Sequence, residues 1–416
     1  MKVLSLWLTA ACLFLTAQTP LSMEQAVAEA LDRNLGLLAE RYNISIADAR
    51  IITARLRPNL VLSIGGDHLD LLGTGYNAVN AAGPSEYSVR TDFVFERGRK
   101  RENRVAVAVT SKSVVELQLV NTLRGVVLEV QNAFVEVLLA KSNLVLATEN
   151  LEAFRSIVRL NETRVKAGDL AEIELLRVQL AELQFENAVR QAELRAASAR
   201  TRLRLLLGRT GQAGTFDVVG ELRRDEVLLS LDTLREQARL RRPDVKALAN
   251  DQARSLAELR LQIAQGAVDY TVGTEYRRQQ GLAGRGNSLG VFFQTTIPVF
   301  NRNQGEIERT RQEQRQIEAR MRALTAAVEN EVDLAYMQFL TSQATLQKVE
   351  TTMLPRAREV RQISQYSYTR GEATLIEFLD GQRAYNETVQ IYNDARAEYA
   401  RSLYQMDAAT GSAASR

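Results

Sequence analysis

Two phrases of the chain, RVKAGDLAEIELLRVQLAEL and SYTRGEATLIEFLDGQRAY, repeat one pattern 203 positions apart. Gly168 answers Gly371, Ile173 answers Ile376, Glu174 answers Glu377 and Gln179 answers Gln382. A period of about half the 416-residue chain means one structural unit written twice, so the fold has to be assembled from two like halves. Each half reads as helix, strand, long loop, strand, very long helix, glycine break and long helix. The expected division is a signal segment 1–17, a first repeat 18–208, a linker 209–231, a second repeat 232–410 and a tail 411–416.

The helical parts carry coiled-coil spacing. Val328, Val332, Ala335, Phe339, Ser342, Leu346, Val349 and Met353 step alternately by four and three. Val127, Val130, Phe134 and Val137 begin a matching heptad, as do Ile173, Leu176, Leu180 and Leu183. Between Gly98 and Lys166 there is no proline and only Gly125 as a breaker, so an unbroken helix there would be about 100 Å long. Helices of that length bury their stripes against one another, which predicts long α-helical hairpins with tips near 168 and 371. In front of them, the periodic segments 23–57, ending at Pro58, and 230–266 read as one helix each.

Four stretches have period two instead: 60–66, 87–95, 268–277 and 288–299. In the second, Tyr87, Val89, Thr91, Phe93 and Phe95 share one face, and Ser88, Arg90 and Asp92 the other. In the third, Val268, Tyr270, Val272 and Tyr276 oppose Asp269, Thr271 and Glu275. A soluble sandwich also alternates, but no other segment offers a partner sheet.

The N-terminus has Lys2, then the apolar run VLSLWLTAACLFLTA and small residues near Ala17, which reads as an export signal. Cys12, the single cysteine, falls inside it, either as an ordinary residue of the apolar run or as an acylated one. No later segment is apolar over the 18 or so residues that a helical span needs. Strands of about ten residues do suit a tilted membrane β-strand, and open edges are not tolerated in lipid. Four strands cannot close a barrel, so the chain has to oligomerise.

A formal charge of +3 argues against a nucleic-acid partner, since the basic run RGRKR (97–101) is local. No phosphate loop, nucleophile elbow or Cys/His pair is present, and the acids Glu377 and Asp380 belong to the repeat rather than to a hydrolase pair. No catalytic residue, metal ligand or cofactor is expected. His68, the only histidine, falls in the loop 67–86 and reads as solvated.

The order and duplication of these parts resemble the TolC-type outer membrane efflux family. The carriers are ALDRNLGLLA with Pro58 before the first strand, IPVFNRNQGEIERTRQE at 297–313 and the two tip phrases. The fold class the resemblance implies is mainly α with membrane β. A homotrimer would share a 12-stranded barrel in outer-membrane lipid, four strands per chain, and its helical hairpins would form a periplasmic tunnel. The implied partners are a periplasmic membrane-fusion adaptor and an inner-membrane pump of RND or ABC type. The implied role is that of a passive conduit, closed at rest.

On that pattern Glu377 and Asp380, with Glu174 in the weaker first half where Arg177 replaces the second acid, ring the periplasmic aperture. Crowding of six carboxylates would raise their pKa values. Val165, Lys166, Gly168, Asp169, Leu170, Arg370, Gly371, Glu372, Ala373 and Thr374 form the tip surface that an adaptor hairpin would meet. The phrase FERGRKR is similar to the CzcC-like, heavy-metal cation branch. Drug efflux and type I protein secretion stay open as cargo classes, and a soluble periplasmic coiled-coil scaffold is the rival without a membrane.

Overall fold

The computed structural model describes residues 20–69, 71–73, 85–211, 216–225, 230–281 and 284–412. The signal segment with Cys12 and most of the loop after His68 lie outside the described residues. Two compact units interleave along the chain. Residues 1–38, 123–236 and 331–416 form the first, and residues 39–122 and 237–330 the second. The units cut across the repeats because each repeat sends its strands to the second unit and its hairpin tip to the first.

In the first unit, α1 (Met23–Arg33) opens with a capping box in which Ser22 and Gln25 exchange hydrogen bonds. Leu21, just before it, forms a parallel bridge with Val218. Most of α3 (Lys100–Ala167) packs its Val130, Phe134 and Val137 against Ala196, Ala199 and Leu203 of α4 (Glu172–Leu206) and Ala26 and Ala30 of α1. The other side of α3 sets Val135 and Leu139 against Ala397, Ala400 and Tyr404 of α9 (Leu375–Thr410). Alanine at these contacts lets helix axes approach closely, and each large side chain buried here stabilises by about 1.5–3 kcal/mol.

The heptad from Val328 to Val349 is buried as expected, on α7 (Gln304–Lys348) and the residue after it. The helix does not run evenly to Met353, however. Val349–Met353 widen into one π-helical turn, and α8 (Leu354–Arg370) follows with Pro355 in its first turn. Proline has no N–H to give the turn before it, and that turn takes the wider spacing.

Both leading helices are also broken. α1 stops at Asn34, whose Oδ1 accepts the N–H of Leu37 and whose Nδ2 donates to the Leu206 carbonyl, and α2 (Leu35–Arg55) resumes. In the second repeat α5 (Leu231–Arg241) breaks at Arg242, and α6 (Pro243–Gln265) restarts on a proline. A proline at the first helical position is a start signal.

The second unit holds one antiparallel sheet in the order β1 (Val61–Asp67), β2 (Glu86–Phe95), β3 (Tyr270–Gly281), β4 (Gly284–Thr295). The two repeats therefore meet at the β2–β3 pairing, with Val89 opposite Tyr276 and Phe93 opposite Val272. Register puts Leu62, Ile64, Tyr87, Val89, Val272, Tyr276, Leu289, Val291 and Phe293 on one face, all exposed. The opposite face carries the sheet's ion pairs, Arg90 with Asp92 at 2.9 Å and buried Glu275 with Arg277 at 2.8 Å, beside Val61, Val94 and Phe292. Apolar outside and charged inside reverses the rule for a soluble sheet and is the arrangement of a barrel wall in lipid. β1 and β4 each have one unpaired edge in the protomer. Among the described residues no helix is long and apolar enough to cross a membrane.

Candidate functional site at the helical tips

Both tips end on the same backbone device. After α3 comes Gly168 at φ 84°, whose N–H reaches the Val165 carbonyl (3.0 Å), while the N–H of Asp169 reaches back to Arg164 (2.8 Å). After α8, Gly371 at φ 80° bonds to Tyr368 (3.0 Å) and Glu372 to Ser367 (2.9 Å). This is a Schellman cap, which needs a left-handed residue that glycine supplies without strain.

The helices that leave the tips start differently. At α9, the Thr374 hydroxyl accepts the N–H of Glu377, and the Glu377 carboxylate accepts the Thr374 N–H at 2.7 Å. At α4 the equivalent cap is Ala171, which makes no side-chain bond, and Glu174 turns instead to Arg177 at 2.7 Å. Two repeat-related glutamates thus do different work because one preceding residue differs.

Hydrogen bonds from Thr374, first its backbone N–H and then its hydroxyl, hold the Glu377 carboxyl below the usual glutamate range. In the protomer the direction is therefore opposite to the rise that crowding predicts. Asp380, one turn further on, is exposed and lies 3.8 Å from Arg383, a contact of little energetic weight. Around the turns, Lys166, Asp169, Arg370, Glu372 and Thr374 are exposed, and Arg370 lies over the Tyr366 ring. Val165, Leu170 and Ala373 are half-buried, and Ala373 packs on the apolar cluster of Phe154, Ile157, Val178, Tyr368 and Phe378.

The stripe Ile173, Leu176, Leu180 and Leu183, expected to be buried in the hairpin, is more than half exposed at every position. The hairpin seam uses Val178 and Ala181 of α4 instead.

Sequence reading missed the polar bonds that tie one hairpin to the other. Asn161, fully buried, donates to the Tyr368 hydroxyl at 2.7 Å, and Arg164 donates to the Thr369 carbonyl at 2.5 Å. Further along α3, Asn150 accepts from Gln382 (3.1 Å) and Asn143 from Asn393 (2.8 Å), while Glu136 pairs with Arg401. The signal was present: 136, 143, 150 and 164 are separated by multiples of seven, a polar line inside an apolar helix.

Among the described residues no group of three or more His, Cys, Asp or Glu could hold a metal ion. Residues 26–209 and 234–412 match the family model described as outer membrane efflux protein. The chain belongs to that family. As an outer membrane efflux protein it is a channel of the outer membrane serving tripartite efflux, and channels of this family are trimers that work with adaptors and inner-membrane pumps. Family and fold are those of channel proteins rather than enzymes.

The efflux protein is similar to the cobalt-zinc-cadmium resistance protein CzcC of Cupriavidus metallidurans, at 21% identity over 88% of this chain and 84% of the relative. It is also similar to the pyoverdine export outer membrane protein OpmQ of Pseudomonas aeruginosa, at 26% identity over 84% and 76%. Among solved structures, CusC matches with a TM-score of 0.76 at 17% identity, covering 94% of this chain and 92% of that one. The CmeC channel of Campylobacter jejuni matches at 0.74 and 14%, covering 94% and 85%.

Proposed function

We propose that three copies of this efflux protein close a barrel of 12 strands from the four-stranded sheet of each chain, and that their hairpin tips form a periplasmic mouth ringed by Glu377, Asp380 and Glu174. The tip surface from Val165 to Leu170 and from Arg370 to Thr374 receives an adaptor hairpin, and an inner-membrane pump delivers the cargo. That cargo is heavy-metal cations.

The observation that carries the cargo reading is the pair of exposed carboxylates, Glu377 and Asp380, on the first turns of α9. Glu377 is fixed in place by Thr374 and stays ionised at neutral pH, so three copies would present fixed negative charge to a cation at the narrowest point. The likeness to CzcC supports the same cargo. The metal is cargo here and not a resident ligand.

A siderophore or drug cargo is the second reading, favoured by the higher identity to OpmQ. Growth of a clean deletion strain, complemented from a plasmid, on divalent cations, dyes and detergents separates the two. Selective sensitivity to zinc, cobalt or copper supports metal efflux. Sensitivity confined to amphiphilic compounds overturns the metal assignment and leaves the channel reading intact.

A further inference from the structure

Where the sheet gives way to the helices, the second unit presents apolar side chains on a turn held by polar bonds. Asn303, at φ 64°, donates through Nδ2 to the carbonyl and to Oε1 of Gln262, both at 2.8 Å. Its N–H bonds to Asn301 Oδ1, and Gln304 Nε2 donates to the Phe300 carbonyl. The turn is thus anchored from its inner side, and Ile297, Val299 and Phe300 face solvent, Phe300 at 91% exposure. Phe95, the last residue of β2, is also exposed. Side chains of this kind on a built turn need an apolar surrounding.

Arginines flank the patch. Arg97 lies over the ring of Tyr270 at 4.5 Å and bonds to its hydroxyl, on the apolar side of the sheet. Arg302 donates through Nε to the Pro298 carbonyl at 3.1 Å. Both segments border the turn at the end of α6: Gly98, next to Arg97, abuts Ala264 and Ala267, and Gly266 abuts the backbone of Arg302. Among the described residues neither guanidinium forms an ion pair, and nor does that of exposed Arg99, while the Arg97 backbone N–H donates to Asp269 Oδ1 at 2.9 Å. The other charges nearby are already matched, Lys100 to Asp269 at 2.7 Å and Arg104 to Glu96 at 2.5 Å. The surplus at this rim is therefore positive.

Height completes the geometry. Tyr270 sits six residues from Tyr276 along β3, about 20 Å at strand rise and about 15 Å in depth at the tilt of a barrel strand, so the two tyrosines mark the helix-side part of the apolar band. Arg97 and Arg302 are at the helix-side border of that band, the depth of phospholipid phosphates, where aromatic rings and basic side chains both settle.

We propose that the rim formed by Arg97, Arg302 and the Ile297–Phe300 turn binds anionic phospholipid of the membrane surface, phosphate on the guanidinium groups and acyl chain on Val299 and Phe300. The proposal rests on the outer-membrane placement of the sheet and adds a lipid preference to it.

The test uses purified full-length trimer in neutral detergent, with phosphatidylglycerol, phosphatidylcholine or inorganic phosphate added, bound lipid counted by native mass spectrometry and trimer survival followed on heating. Phosphatidylglycerol is expected to bind in preference and to raise the dissociation temperature. Arg97→Gln/Arg302→Gln is expected to lose about 30-fold in affinity, about 2 kcal/mol at roughly one for each arginine. Phe300→Ser is expected to keep the trimer and lose the lipid. Equal binding of phosphatidylcholine by the wild type overturns the charge recognition. Displacement of the lipid by millimolar phosphate makes the rim a free-anion site. A Phe300→Ser chain that no longer trimerises while its monomer keeps the lipid preference makes the turn a contact between copies. Channel conductance, read separately, reports on the efflux function itself.

Discussion

The amide of Asn161 donates a 2.7 Å hydrogen bond to the hydroxyl of Tyr368, joining two hairpins 207 residues apart inside an apolar cluster. Tyr368→Phe leaves a buried amide without this partner, and such a group costs about 1–3 kcal/mol. The variant is expected to open the tips more often, seen as larger resting conductance in planar bilayers. Asn161→Leu/Tyr368→Phe removes both polar groups and is expected to return toward the wild type. Equal leakage from the single and double variants would mean that the bond holds nothing closed.

Glycines 371 and 381 make a contrasting pair. Gly371 has a positive φ and open space around it, so Gly371→Ala is expected to cost about 1–2 kcal/mol of backbone strain. At Gly381 a Cβ would stand 2.4 Å from Ser364 Oγ and 2.8 Å from its Cβ, so α8 and α9 would have to move apart. Gly381→Ala is expected to destabilise by about 1–3 kcal/mol and to spread along the helices. Hydrogen exchange distinguishes them: protection is lost only at the turn in the first and along both helices in the second.

Thr374→Ala removes the cap of α9 and is expected to cost about 1 kcal/mol at neutral pH. The folded pKa of Glu377 is depressed, so its contribution is present above the unfolded value near 4.5 and fades as pH falls through the lower folded value. The gap between Thr374→Ala and wild type is therefore expected to narrow in acid, measured as melting temperature from pH 7 to pH 3. Ala171→Thr supplies the missing cap in the other repeat and is expected to stabilise α4.

Glu377→Gln/Asp380→Asn in each chain removes the proposed fixed charge at the mouth. Cation over anion selectivity, read from the reversal potential across a salt gradient, is expected to fall, as is block by multivalent cations. Unchanged values for both would sink the aperture ring and reduce Glu377 to its capping role.

Gly273 faces Asp92 across the β2–β3 seam, where a Cβ would meet Asp92 Oδ1 at 2.2 Å. Gly273→Ser is expected to displace the carboxylate from Arg90 and weaken the pairing that unites the repeats. The measurement is the fraction of heat-resistant trimer recovered from outer membranes, expected to drop while secretion into the periplasm is unchanged.

The repeat was legible because one phrase recurs 203 positions on, and the period-two strands and the Val127–Val137 and Val328–Val349 heptads because each depends on neighbours within a few turns. The glycine caps were legible for the same reason, since φ at Gly168 and Gly371 is a local demand. Pro243 and Pro355 stand in the same sequence, yet 230–266 reads there as one helix and the heptad as running on to Met353; the break and the π-turn beside the prolines follow from a missing N–H. Tertiary structure decided what depends on distant partners. It set β2 against β3, took Val178 rather than the Leu176 and Leu180 stripe into the hairpin seam, and gave Asn161 its phenol. The difference between Glu174 and Glu377 is local instead, since the sequence sets alanine three residues before one carboxylate and threonine three residues before the other. A pattern of apolar residues states that a face will be covered, whereas which surface covers it is settled by the shapes and polar groups that meet when the whole chain packs.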